Sequence, residues 1–139
     1  MIKENKLVQQ YELVLLVKPT SSDKIVDIIK AIQAENQDMT IHSVEDWGKK
    51  DLKYKIGKMR SCHYVLLQVI CKPSTAQSLQ TNLKHYRADV VRWMMVKHEG
   101  EWDEPSGHVN ATLTNNLHHS LNISKQSSVN HDEKQQDQL

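Results

Sequence analysis

Residues 44–56 read Val-Glu-Asp-Trp-Gly-Lys-Lys-Asp-Leu-Lys-Tyr-Lys-Ile and join a strand-like pattern to a run of lysines with two aromatic rings among them. From Ile41 onward the residues alternate between two mixed faces, as in a strand at the edge of a sheet. Gly48 directly after Trp47 predicts a structural ring beside a bulge or a close backbone approach. We therefore expect an edge strand that runs on into a basic segment.

The segments on either side predict the other elements. Residues 11–17 and 63–71 are almost continuous apolar runs, which is typical of inner strands covered on both faces. Isoleucines at helical spacing predict a helix over residues 22–35, and a second helix is expected after Ser74. A last strand is predicted over residues 90–97.

This order of strand, helix, strand, strand, helix, strand predicts an α+β fold of the ferredoxin-like, split βαβ type. Right-handed crossovers place both helices on one face of a four-stranded antiparallel sheet and leave the other face open. In the first strand the residues of both faces are mainly apolar. An open apolar face on a small domain predicts a protein partner that covers part of it.

The composition divides the chain. Residues 103–139 are rich in Asn, Gln, Ser and His, have no aromatic residue and carry a net charge of −3, whereas residues 1–102 carry +4. Such a polar segment is expected to be disordered and dispensable for folding, although Leu113, Leu117 and Leu121 have one helix-like spacing. We therefore predict an N-terminal extension (1–10), a ferredoxin-like domain (11–102) and a polar tail (103–139).

Several classes of protein are disfavoured by the residues present. Cys62 and Cys71 are too few for a disulfide framework and suggest a reducing compartment. No apolar run reaches the length of a membrane span, and residues 1–10 lack the core of a signal peptide, so a cytoplasmic protein without a membrane segment is expected. The histidines show no metal-ligand spacing, and we predict neither a metal nor another cofactor.

The motif and its flanking segments together resemble the family of the sixth protein of the bacterial small ribosomal subunit. The matching residues are the Val-Glu-Asp-Trp-Gly stretch at 44–48, the basic pair Lys49 and Lys50, the Leu-x-Tyr-x-Ile pattern of Leu52, Tyr54 and Ile56, the opening strand with Lys18-Pro19, Lys58 with residues 63–66, and residues 91–97. The resemblance implies a structural, non-catalytic protein that binds small-subunit ribosomal RNA as a heterodimer with the eighteenth small-subunit protein.

Nine cations are the predicted RNA-binding residues, in a main cluster and a weaker second group: Lys49, Lys50, Lys53, Lys55, Lys58 and Arg60, then Arg87, Arg92 and Lys97. A phosphate-contacting mode is expected, since the aromatic pattern of a base-stacking sheet is missing around Tyr64. The main cluster also fits a solvated edge strand whose lysines discourage strand addition.

Two alternatives share the same fold. Acylphosphatase-like enzymes bind phosphate in a glycine-rich loop after the first strand, but residues 18–22 here contain a proline and no glycine. A ligand-binding regulatory module would need a polar pocket at a dimer interface, which the sequence does not indicate. We expect no small-molecule substrate.

Overall fold

The computed structural model describes residues 8–123. Its elements are the strands β1 (Gln9–Val17), β2 (Thr40–Ile56), β3 (Met59–Cys71) and β4 (Val90–His98), and the helices α1 (Ile25–Glu35), α2 (Pro73–Asn82) and α3 (Ala111–Leu121), with 3-10 turns at Pro19–Lys24 and Leu83–Tyr86. Within the described residues no helix is both long and apolar enough to span a membrane.

The strands form one antiparallel sheet in the order β2-β3-β1-β4, which confirms the ferredoxin-like fold and the edge position of β2. Side chains alternate along each strand, so Leu13, Leu15 and Val17 of β1 point to the helical face and are fully buried. They pack with the isoleucines of α1 and with Leu79 of α2 in a single core. β1 begins at Gln9, two residues before the predicted start, and residues 1–7 lie outside the described part.

The opposite side of the sheet, which we call the open face, is partly covered by the chain itself. After β4 the indole of Trp102 stacks between His98, at 4.8 Å, and His42, at 5.2 Å. Further on, the amide of Ser106 donates to the carboxylate of Glu45 on β2, at 3.4 Å. The segment therefore crosses the open face from β4 towards β2.

Beyond this crossing, α3 packs beside β2 and against α1 on the helical face. The Asn110 side chain accepts a hydrogen bond from the Leu113 amide at its start, and Asn122 ends it in the left-handed conformation. Leu117 and Leu121 are only 5% and 8% exposed and belong to the core. We call residues 99–123 the C-terminal wrap.

The wrap corrects the prediction of a disordered segment from residue 103, which is wrong for residues 111–121. Leucines four residues apart supply enough apolar surface here because the helix docks on an existing sheet and does not have to fold alone. The part of the predicted tail from 124 to 139 lies outside the described residues.

Candidate nucleic-acid interface

The strands β2 and β3 continue beyond the rest of the sheet. The last β1–β3 pair is Val17 with His63, and from there to the turn at Gly57 the two strands pair only with each other. Gly57 has a φ of 63°, which suits a glycine in a tight hairpin turn. We call residues 49–60 the basic ribbon.

All six cations of the predicted main cluster lie on the basic ribbon: Lys49, Lys50, Lys53, Lys55, Lys58 and Arg60. They are exposed, except for Lys50, which is half-buried. None of them forms an ion pair with another described residue. Unpaired cations on a protruding ribbon create a concentrated positive potential that reaches into solvent.

The second predicted group is divided by the fold. Arg87 and Arg92 line an open cleft together with Lys18 and with Ile56 at the far end of the basic ribbon. Lys97 lies towards the other end of β4 and pairs with Glu99, at 3.6 Å. The structure thus brings two of these cations to the ribbon and leaves Lys97 apart.

Lys18 is the residue that the sequence analysis missed in this cleft. Its signals were the Lys18-Pro19 pair that matches the family pattern and its position directly after β1, at the end of the sheet from which the ribbon departs. β4 is antiparallel to β1, so the start of β4 lies beside the end of β1. Arg92 near the start of β4 and Arg87 in the preceding turn therefore lie close to Lys18.

A buried hydrogen-bond chain holds the base of the ribbon. The Asp46 carboxylate contacts His63 Nε2 at 2.6 Å and accepts from the Gly48 amide at 2.8 Å. His63 Nδ1 lies 2.8 Å from the Ser22 hydroxyl. Gly48 has a φ of 77° at the bulge between Asp46 and Gly48, and so only glycine adopts this turn without strain. The chain fixes where the ribbon leaves the sheet.

The side chains of Ser22, His63 and Asp46 are of the same three types as a Ser-His-Asp hydrolase triad, but they are connected differently. In that triad the serine contacts Nε2 and the aspartate contacts Nδ1, whereas here Ser22 is on Nδ1 and Asp46 is on Nε2. The Ser22 hydroxyl also lies 3.0 Å from the Pro19 carbonyl, to which it donates. The arrangement therefore joins β2, β3 and the turn after β1 as a positioning network.

Trp47 is a structural ring, as the sequence predicts. It lies parallel to Tyr64 with ring centroids 6.2 Å apart, and it contacts His108 of the wrap at 5.3 Å. Its indole N–H donates to Glu45 at 3.0 Å. Tyr64 is therefore packed against Trp47.

The remaining part of the open face is accessible and carries apolar side chains beside Glu12. Met94 is 60% exposed and Val96 is 47% exposed. Val14 lies directly opposite Met94 in the neighbouring strand and is half-buried. The apolar patch that the sequence predicts is therefore reduced by the wrap to its β1–β4 half.

A family model described as Ribosomal protein S6 matches residues 10–97. Among solved structures, the chain is similar to the crystal structure of 30S ribosomal protein S6 from Thermotoga maritima, with 21% identity and a TM-score of 0.58 over 66% of this chain and 88% of that chain. A weaker likeness, to the C-terminal domain of the MgtC protein from Mycobacterium tuberculosis, has 12% identity and a TM-score of 0.47 over 71% of this chain and 97% of that chain, and it carries no functional argument. Because the family model covers well over half of the chain, from β1 into β4, the chain belongs to the ribosomal protein S6 family and is a structural protein of the small ribosomal subunit.

Proposed function

We propose that this small-subunit protein binds small-subunit ribosomal RNA mainly through the basic ribbon, as a structural component and not as a catalyst. The observation that carries the proposal is the group of six cations, five of them exposed and Lys50 half-buried, on a hairpin that extends beyond the sheet. The family supports the polyanion partner, and it implies that the protein works in the ribosome, in the cytoplasm.

The contacts are proposed to be with phosphates. Lysine presents a compact charge on a flexible stem, which neutralises a phosphate but reads no base geometry. Tyr54, in contrast, is 79% exposed among the ribbon lysines and offers a free ring on which one unpaired base can stack. The ribbon therefore combines several phosphate contacts with one sequence-tolerant stacking contact.

The cleft of Lys18, Arg87 and Arg92 extends the same interface. It adjoins the ribbon at Ile56, so a backbone that follows the ribbon passes directly from one group of cations to the other. The two arginines also offer planar donors that can bind a phosphate with two hydrogen bonds. Lys97, which is paired with Glu99 and lies at the other end of the strand, is left out of this proposed path.

We propose further that the eighteenth small-subunit protein binds the uncovered half of the open face. The resemblance of the sequence to its family supports this partner. The exposed side chains of Met94 and Val96 supply an apolar centre of the kind found in ordinary protein interfaces. Binding there would leave the basic ribbon free for RNA.

Gradient centrifugation tests whether the protein binds the small ribosomal subunit. In lysates of cells that produce the chain, we expect it to sediment with the small ribosomal subunit at low salt and to leave the subunit as salt rises, since phosphate contacts weaken with salt. A chain that remains in the soluble fraction at low salt, while other small-subunit proteins sediment, would contradict the proposal.

A further inference from the structure

Among residues 8–123 no strand pairs with the outer edge of β2, yet the C-terminal wrap occupies its outward backbone groups. The Asp46 amide donates to the Thr114 hydroxyl at 2.8 Å, and the Asp46 carbonyl accepts from the Asn110 amide at 2.8 Å. His118 Nε2 lies 2.9 Å from the Val44 carbonyl and 3.3 Å from the Val44 amide, so it serves one or the other according to its tautomer. The wrap thus replaces the partners that another strand would provide.

Apolar packing fixes the wrap in this position. Leu117 and Leu121 enter the core, and a Cβ atom on Gly48 would lie 3.7 Å from the Leu113 side chain. Thr114 and His118, four residues apart, reach the strand edge from neighbouring positions on the helix. The wrap also lies beyond residues 10–97, which the family model matches.

The position of the wrap along β2 follows the distribution of charge. An exposed edge strand is commonly protected from pairing by lysines. The ribbon part of β2 has four of them, at Lys49, Lys50, Lys53 and Lys55, but residues 40–46 contain no Lys or Arg. The wrap covers the edge in this lysine-free part.

We propose that the C-terminal wrap is an intramolecular guard that prevents β2 from pairing with β2 of a second copy of the chain. Two such edges can pair antiparallel about a two-fold axis, because the same surface on each copy is then self-complementary. The guard keeps the free protein monomeric before it enters the ribosome. This proposal does not depend on RNA binding.

Hydrogen exchange of the wild-type protein is the first test. The amides of Val44 and Asp46 should exchange through a local opening that releases the wrap, at a lower free energy than the core amides of Leu13 and Leu15, which require global unfolding. Fast, unprotected exchange of the Val44 and Asp46 amides in the native protein would show that the wrap does not hold this edge and would overturn the proposal.

The second test releases the wrap in the full-length chain with Leu117→Asp and Leu121→Asp together. The matched control is Asn116→Asp with Ser120→Asp, which adds the same charges at exposed positions of the same helix. Sedimentation across a range of concentrations should show a monomeric control and a self-associating double variant. In the associated form the Val44 and Asp46 amides should regain protection.

A released variant that keeps protected Leu13 and Leu15 amides but stays monomeric up to hundreds of micromolar would overturn the proposal. So would an oligomer in which the Val44 and Asp46 amides stay unprotected. If the aspartates unfold the protein, the milder pair Thr114→Val and His118→Leu takes their place. It replaces the Thr114 and His118 side-chain partners of the edge by apolar side chains of similar size and leaves only the backbone bond from Asn110 to Asp46. It is judged by the same two outcomes.

Discussion

Asp46 is the residue on which the base of the ribbon depends. Its side chain is buried and accepts from the Gly48 amide while it contacts His63. Replacing it by Ala leaves both groups buried without this partner, so we expect Asp46→Ala to lower the free energy of unfolding by about 2 kcal/mol. Urea denaturation measures this, with the exposed Asp51→Ala on the same strand as the control, expected to change it by less than about 0.5 kcal/mol. Equal effects of the two substitutions would contradict the role of Asp46.

The two cysteines provide a second prediction at the scale of single residues. Burial raises the pKa of Cys62, and burial with the nearby charge of Asp38 raises the pKa of Cys71 to about 11. A raised pKa keeps the proton on sulfur at pH 8, and the thiolate is the reactive form. Iodoacetamide at pH 8 should therefore modify the unfolded protein fully while the native protein stays largely unmodified. Fast modification of the native chain would show that β3 opens locally.

At the scale of elements, the wrap reverses the expected effect of truncation. Deleting residues 103–139 removes Leu117 and Leu121 from the core and should lower Tm by at least about 5 °C, since each buried leucine contributes roughly 2 kcal/mol. Deleting only residues 124–139 should leave Tm nearly unchanged, because this polar segment has few apolar side chains that could be buried against the domain. Thermal unfolding followed by circular dichroism measures both. An unchanged Tm for the longer deletion would contradict the docking of α3.

The elements differ in how far the sequence predicted them. The strands over residues 11–17 and 63–71 were predictable because nearly continuous apolar runs belong to buried strands. Helix α3 was missed because only its leucines carry the pattern, while Thr114 and His118 act on a strand some 70 positions earlier in the sequence. Its signals were the leucine spacing and an asparagine at each end, of which Asn110 caps the start of the helix.

At the scale of the whole molecule, the fold separates three surfaces: the basic ribbon, the guarded edge and the remaining apolar half of the open face. The sequence predicted that the cations of the ribbon form one cluster, because residues so close together along the chain need no tertiary contact to be neighbours. It did not predict the cleft, since Lys18, Arg87 and Arg92 meet only through the pairing of β1 with β4. Contacts between residues that are distant in sequence can be predicted only when the register of the sheet is known.

This separation predicts that partner binding and RNA binding can be impaired independently. Met94→Asp places a charge in the apolar patch and should weaken binding of the eighteenth small-subunit protein at least tenfold in calorimetry. Tyr54→Asp, at a still more exposed position on the ribbon, is the control and should leave that affinity unchanged. If the partner binds the Met94 variant as tightly as the wild-type protein, the proposed docking face is wrong.

The central claim is that the ribbon lysines contact RNA phosphates. It is tested most directly by the salt dependence of affinity for the central domain of small-subunit ribosomal RNA, measured with the partner protein present. Each phosphate contact releases counterions, so Lys49→Ala with Lys50→Ala should weaken binding and reduce the log–log salt slope by about 1.5 units. The control pair Lys30→Ala and Lys72→Ala removes the same charge from exposed positions on α1 and just after the end of β3 opposite the ribbon, and it should leave the slope unchanged. A wild-type affinity and slope in the Lys49 and Lys50 variant would contradict the account.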